Sequence, residues 1–170
     1  MVKIIAEVGS VHDGSFGNAI KLISLASECG ADAIKFQTHI ARYETTKLAP
    51  SPSYFHSEIR YDYFERTGFN FEQWSHIKEE CDKLDIEFIS SPFSEQAFQL
   101  LEDLGVNSYK IPSGEITNLP LLKKIAESGK NVILSSGMSN WDELDSAVNL
   151  IKAINENVSI LQCTSKYPCP

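Results

Sequence analysis

Two hydrophobic periods alternate along this chain. Short, nearly continuous apolar runs, as in Ile4-Ile5-Ala6-Glu7-Val8-Gly9 and Asn131-Val132-Ile133-Leu134-Ser135, are followed by stretches in which apolar residues recur every three or four positions. The first kind suits strands buried on both faces, and the second suits helices with one apolar stripe. The pattern predicts strands over 4–9, 31–38, 86–91, 131–136 and 158–164. A further strand enters the stretch Tyr109-Lys110-Ile111-Pro112-Ser113-Gly114-Glu115. Helices are predicted over 16–29 and 95–104, each closed by a glycine (Gly30, Gly105) at the position where a helix turns left-handed. Asn70 with Gln73 and Asn140 with Glu143 form capping boxes for two more, one through Trp74, Ile77, Cys81 and Leu84, the other burying Leu144, Ala147, Val148, Ile151 and Ile154. Thr117 or Asn118 caps the helix that follows the 109–115 stretch, with Pro120 tolerated in its first turn and Gly129 at its end.

Strand, loaded loop, capped helix is the βα unit, and in parallel α/β folds ligands bind where strands give way to loops. The chemistry collects there. Lys110, Ser113, Gly114 and Glu115 offer a cation, a hydroxyl, an approachable backbone and a carboxylate within six residues. On the second strand Lys35 and Gln37 are two apart and share a side, with Ile34 and Phe36 on the other. A lysine facing a barrel interior is costly unless it meets an anion. Hydroxyls recur at strand ends as Ser91, Ser113, Ser135 and Ser165. With Lys35 and Lys110 they describe a ring of donors around phosphate or carboxylate. Glu7 admits two readings, a strand-end glutamate bonded to backbone or an acid of the pocket. His12, alone in its loop, reads as a hydrogen-bonded structural residue.

Residues 39–67 break the pattern, with Pro50, Pro52 and the tyrosines Tyr43, Tyr54, Tyr61 and Tyr63. A loop this long is either a lid or recognition segment, or a surface excursion packed by its own aromatics.

With 170 residues and 42% apolar content the chain is long enough for a sizeable core. The net charge of −8 excludes a nucleic-acid or anionic-membrane surface while leaving room for a small anion in a locally basic pocket. Neither a membrane span nor a signal peptide appears, so the expected location is cytoplasmic. Cys29, Cys81 and Cys163 read as small buried hydrophobes. Six βα units fall short of the roughly 250 residues of an eight-stranded barrel, and a sheet stopping at the sixth strand would leave unpaired edges. The expectation is therefore an α/β chain of (β/α)8 TIM-barrel type with about six units present, a partial catalytic domain over 1–170. A doubly wound open sheet is the alternative, although no Gly-x-Gly-x-x-Gly follows the first strand.

Ile-Ile-Ala-Glu-Val-Gly, Lys-Phe-Gln-Thr, Ser-Ser-Pro-Phe, Tyr-Lys-Ile-Pro-Ser-Gly-Glu-Ile-Thr-Asn-Leu-Pro-Leu-Leu, Leu-Ser-Ser-Gly-Met and Leu-Gln-Cys-Thr-Ser-Lys-Tyr-Pro, in unbroken order, resemble the sialic acid (N-acetylneuraminate) synthase family. The resemblance implies a (β/α)8 barrel followed by a small antifreeze-like domain, the latter and the end of the barrel being absent here. It also implies condensation of phosphoenolpyruvate with an N-acylmannosamine-type sugar to a nine-carbon 2-keto acid, with Mn²⁺ or Mg²⁺, in a homodimer. By position, Lys35, Ser91, Lys110, Ser113 and Ser135 match family positions holding phosphoenolpyruvate. Gln37, Glu115 and Tyr167 match sugar contacts, and Glu7 an acidic pocket position. Glu7 and Glu115 are the candidate catalytic acids. The resemblance places the metal-binding histidines on strands beyond this chain, so none of its own residues is expected to hold the metal. Two other readings compete: a Schiff-base aldolase using Lys110, and a barrel fragment without activity of its own.

Overall fold

The computed structural model describes residues 2–51 and 58–166, so Tyr54, Tyr167 and Cys169 lie outside the described residues. The chain divides into two compact units, Met1–Val106 and Asn107–Pro170. Each is α/β, with parallel strands joined by helical crossovers.

In the first unit β2 (Ala33–Thr38) pairs in parallel with β1 (Ile5–Gly9) and with β3 (Glu87–Pro92). Having a neighbour on each side, β2 is buried along almost its whole length. Helix α1 (Phe16–Glu28) links β1 to β2, capped by Ser15, whose Oγ accepts from the Asn18 amide. Helices α2 (Ala41–Glu44), α3 (Arg60–Thr67) and α4 (Phe71–Lys83) lie between β2 and β3, and α5 (Glu95–Asp103) follows β3. The Asn70–Gln73 capping box forms as expected. Helix α1 packs on α4. The core beneath is aromatic: Trp74 meets Phe36 and Phe69 nearly edge-on at 5.9 and 5.2 Å, and Phe88 lies 5.8 Å from Phe36.

Helices α2 and α3 correct the expectation of an unpatterned 39–67 segment. Neither has a side-chain cap, and α2 has only four residues. No local signal marks them, and they are held by tertiary contacts instead.

In the second unit β5 (Asn131–Ser135) pairs in parallel with β4 (Ser108–Ile111) and β6 (Val158–Leu161). A 3₁₀ turn, Ser113–Glu115, follows β4 and leads to α6 (Leu119–Glu127), whose cap Asn118 accepts from the Leu121 amide. Helix α7 (Trp141–Lys152) carries the Asn140–Glu143 capping box and packs on α6. Tyr109, Ile111, Leu122, Ile125, Leu134 and Ile151 form the core. The expected strand over 158–164 ends at Leu161, which pairs with the last residue of β5, so the chain beyond has no ladder partner on β5. Ile160 and Leu161 stand 47% and 41% exposed. Ile154, expected on the buried face of α7, is exposed because the helix ends before it. Among the described residues no helix is long and apolar enough to cross a membrane.

Candidate functional site

Each unit gathers expected site residues at the carboxyl ends of its strands. In the first unit Glu7 and Lys35 are register partners on β1 and β2, so their side chains leave the sheet on one face. Lys35 Nζ lies 2.7 Å from Glu7 Oε2, with the lysine almost buried and the carboxylate half exposed. Of the two readings of Glu7, the backbone-bonded one does not describe this pairing. Gln37, one pleat further along, is level with Ser91 of β3, while Thr38 and the adjacent Ser90 bond each other at 2.7 Å. The two serines of Ser-Ser-Pro-Phe therefore divide: Ser90 ties strand to strand, and Ser91 stands on the row of Gln37 and Lys35.

The second unit organises its donors around Ser135. Lys110 is 8% exposed, and its Nζ donates to the Ile111 carbonyl at 3.0 Å and to Ser135 Oγ at 2.5 Å. Cys163 Sγ donates to the same Ser135 Oγ at 3.1 Å. A hydroxyl that accepts twice keeps its own proton to donate. Gly137 leaves the space that this cluster needs: a Cβ there would lie 2.7 Å from Ser165 Oγ and 3.5 Å from Ser113 Oγ. The Ser165 and Ser113 hydroxyls thus face a position where the chain has no side chain, and Cys163, whose Cβ lies 3.2 Å from it, links that position to the Lys110–Ser135 pair, an arrangement suited to an anion. Glu115 sits in the 3₁₀ turn and accepts from Asn118 Nδ2 at 2.8 Å. The helix cap and the candidate acid are therefore one hydrogen-bonded unit.

Lys35 and Ser91 lie in the first unit, and Lys110, Ser113 and Ser135 in the second. Neither lysine points into bulk solvent, since each is 8% exposed. Tyr167 lies outside the described residues.

His12 is structural, as its loop position suggested. It is 1% exposed, its Nδ1 accepts from the Gly14 amide at 3.2 Å, and its ring lies 4.6 Å from Phe69. Burial pulls its pKa down from 6.5 to about 4. Its Nε2 has no partner among the described residues. Burial raises the Tyr63 phenol, opposed by a hydrogen bond with Ser10.

The cysteines depart in part from expectation. Cys81 is buried and its thiol is pushed up to about 12, as for an inert core residue. Cys29 is exposed because it caps the end of α1, and Cys163 is half-buried against Ser135. Among the described residues no group of three or more His, Cys, Asp or Glu side chains could hold a metal ion. The described residues by themselves therefore do not fit a divalent-metal site.

His39, Gly137 and Cys163 are the site residues that sequence reasoning missed. His39 falls in the irregular 39–67 stretch, although its spacing of two from Gln37 is a usable signal.

The NeuB family model matches residues 22–170 of the chain. The N,N'-diacetyllegionaminic acid synthase of Campylobacter jejuni is 38% identical over 175 residues, spanning 98% of this chain and 52% of that protein. Human N-acetylneuraminate-9-phosphate synthase is 33% identical over 169 residues, spanning 97% of this chain and 47% of its own length. The chain thus spans about half the length of the curated relatives it matches. A crystal structure of N-acetylneuraminic acid (sialic acid) synthetase from Leptospira borgpetersenii, in complex with citrate, superposes with a TM-score of 0.85 at 31% identity. It covers 99% of this chain and 56% of that one.

Proposed function

Since the chain belongs to the NeuB family, we propose that the complete protein condenses phosphoenolpyruvate with an N-acylmannosamine-type sugar, giving a nine-carbon 2-keto sugar acid and phosphate. A closed (β/α)8 barrel belongs to the same proposal. The observation that carries it is the buried Lys110–Ser135 pair, joined through Cys163 to the open position at Gly137 that Ser113 and Ser165 face, a set of donors suited to an anion.

In this reading C3 of the enol ester attacks the aldehyde carbon of the open-chain sugar, and water adds at C2. The tetrahedral carbon then collapses to the ketone as its C–O bond to phosphate breaks, so one water is consumed and one phosphate leaves. Lys110, Ser113 and Ser135 neutralise and orient the phosphoenolpyruvate anion, and for Lys35 and Ser91 the same role rests on the family resemblance alone. Preorganised donors of this kind stabilise charge without reorganising as the reaction proceeds. Gln37, Glu115 and Tyr167 take the sugar hydroxyls and acylamino group. Glu7 balances Lys35 when no anion is bound, holding the ammonium in place by their 2.7 Å contact. The Mn²⁺ or Mg²⁺ expected of the complete protein would draw its ligands from residues other than those described, and no step above runs through it.

The Schiff-base alternative needs an unprotonated Lys110 as nucleophile. Lys110 Nζ is instead engaged by two hydrogen bonds, to the Ile111 carbonyl and to Ser135 Oγ, which attack on a ketone would have to break. Borohydride with pyruvate should leave it unlabelled.

The direct test is phosphate release by the full-length protein with Mn²⁺. Release should require both phosphoenolpyruvate and an N-acylmannosamine, its 6-phosphate or a diamino relative. Release without sugar, or none with any of these sugars, overturns the reading.

A further inference from the structure

Gln37 is held from behind by a chain of polar groups that none of the roles above uses. Its Oε1 accepts from the Ser10 hydroxyl at 3.3 Å and lies 3.2 Å from His39 Nε2. A carboxamide oxygen can only accept, so His39 Nε2 carries the proton of that bond, and both oxygen lone pairs are then engaged. The other ring nitrogen, His39 Nδ1, is 2.8 Å from Glu44 Oε1, and both side chains are 4% exposed. One proton therefore sits between them, whichever atom it rides on.

The ring has little freedom to depart from this arrangement. It is clamped between Phe64, at 3.9 Å and 9° from parallel, and Phe93, at 4.1 Å and 20°. The Arg60 guanidinium lies over the Phe64 ring at 5.3 Å. The opposite end of the amide supports the same orientation. Gln37 Nε2 and Glu7 Oε1 lie 3.6 and 3.2 Å from the point that a Cβ on Gly9 would occupy. A carboxylate there favours the amide nitrogen and would repel the amide oxygen. Gly9, at φ +54°, is the residue whose missing side chain leaves that space open.

We infer that His39 is a positioning residue. With Glu44 behind it, it fixes the Gln37 carboxamide so that the NH₂ group faces Gly9, which makes Gln37 an obligate donor toward the substrate. The group it selects is an acceptor oxygen of the sugar, a carbonyl of an acylamino substituent or a hydroxyl, rather than a donor such as a free ammonium. The described part of 39–67 thereby gains a role in recognition. Helix α2 supplies Glu44 and α3 supplies Phe64, so both helices act on the sugar through Gln37. The inference rests on the sugar-condensing reading for the identity of the ligand, but not for the geometry.

Two measurements on the full-length protein test it. In steady-state kinetics His39→Phe keeps the aromatic stack and removes the N–H. It should raise KM for the sugar about ten-fold while KM for phosphoenolpyruvate stays within two-fold. Combined with Gln37→Met it should add nothing beyond Gln37→Met alone. A merely structural role would give additive losses that fall on both substrates alike, and that result overturns the inference. The second measurement needs no variant: nitrogen-15 spectra of labelled histidine in the wild-type protein should show His39 Nε2 protonated. An unprotonated Nε2 refutes the inference even if His39→Phe fails to fold. Absence of synthase activity with every sugar would sink the proposed function, whereas the spectrum would still decide the orientation of Gln37.

Discussion

Acidification should destabilise the first unit through His12 in a pH window above that of the paired carboxylates. His12 is buried and neutral when folded, with a pKa of about 4 in place of 6.5. Unfolding returns it to water, so between these two values the unfolded chain binds one more proton than the folded one. Stability is therefore retained above pH 6.5 and falls as pH drops toward 4. At about 1.4 kcal/mol per pKa unit the shift corresponds to about 3 kcal/mol in full, most of which is lost by pH 4.5. Glu58 and Glu80 have depressed pKa values from their partners Arg66 and Lys83, but they are solvent-screened and act only below about 4.5. Urea unfolding followed by tryptophan fluorescence reads this unit selectively. Trp74 is 1% exposed and packs on Phe69, which carries His12, whereas Trp141 of the second unit is 80% exposed and changes little on unfolding. His12→Phe preserves the ring contact but loses the Gly14 hydrogen bond, at a cost of about 1 kcal/mol near pH 7.5. Its stability should then be nearly flat from pH 7 to 4.5 while that of the wild type falls. Parallel profiles for the two proteins would refute the assignment.

Gly14→Ala places a Cβ 2.5 Å from the Arg66 carbonyl at φ +77°, so it should cost about 2–3 kcal/mol in urea unfolding. Gly17→Ala, within α1 and with nothing inside 4 Å, should stabilise by about 0.5–1 kcal/mol in the same assay. Lys110→Met removes the ammonium from Ser135 and should raise KM for phosphoenolpyruvate at least about 30-fold, about 2 kcal/mol, with a smaller change in KM for the sugar.

The regular part of this fold is written locally. Asn70, Asn118 and Asn140 each bond the amide three residues on, and apolar periodicity does the rest, so strand and helix order could be read directly. Helices α2 and α3 could not, because what secures them is distant in sequence. Phe64 stacks on His39, and Arg66 bridges Glu58 on its own side to Asp13 in the loop after β1. The candidate site was legible as residue types at strand ends, since pleat and register put Lys35 beside Glu7 and Ser91 beside Gln37. Its hydrogen bonding was not. That Ser135 accepts from both Lys110 and Cys163, or that His39 stands behind Gln37, depends on how three different segments approach one another. Periodicity carries no information about that approach. Cys29 shows the same limit at one residue: its apolar type suggested burial, and its place at the end of α1 exposed it.

The central claim is that this family member joins an enol ester to a sugar and breaks the carbon–oxygen bond to phosphate. Reaction of the full-length protein with phosphoenolpyruvate carrying oxygen-18 in the bridge between C2 and phosphorus, in the presence of an N-acylmannosamine, tests it most directly. One labelled phosphate should appear for each nine-carbon keto acid formed. Label retained in the keto acid, or labelled phosphate without keto acid, would contradict it.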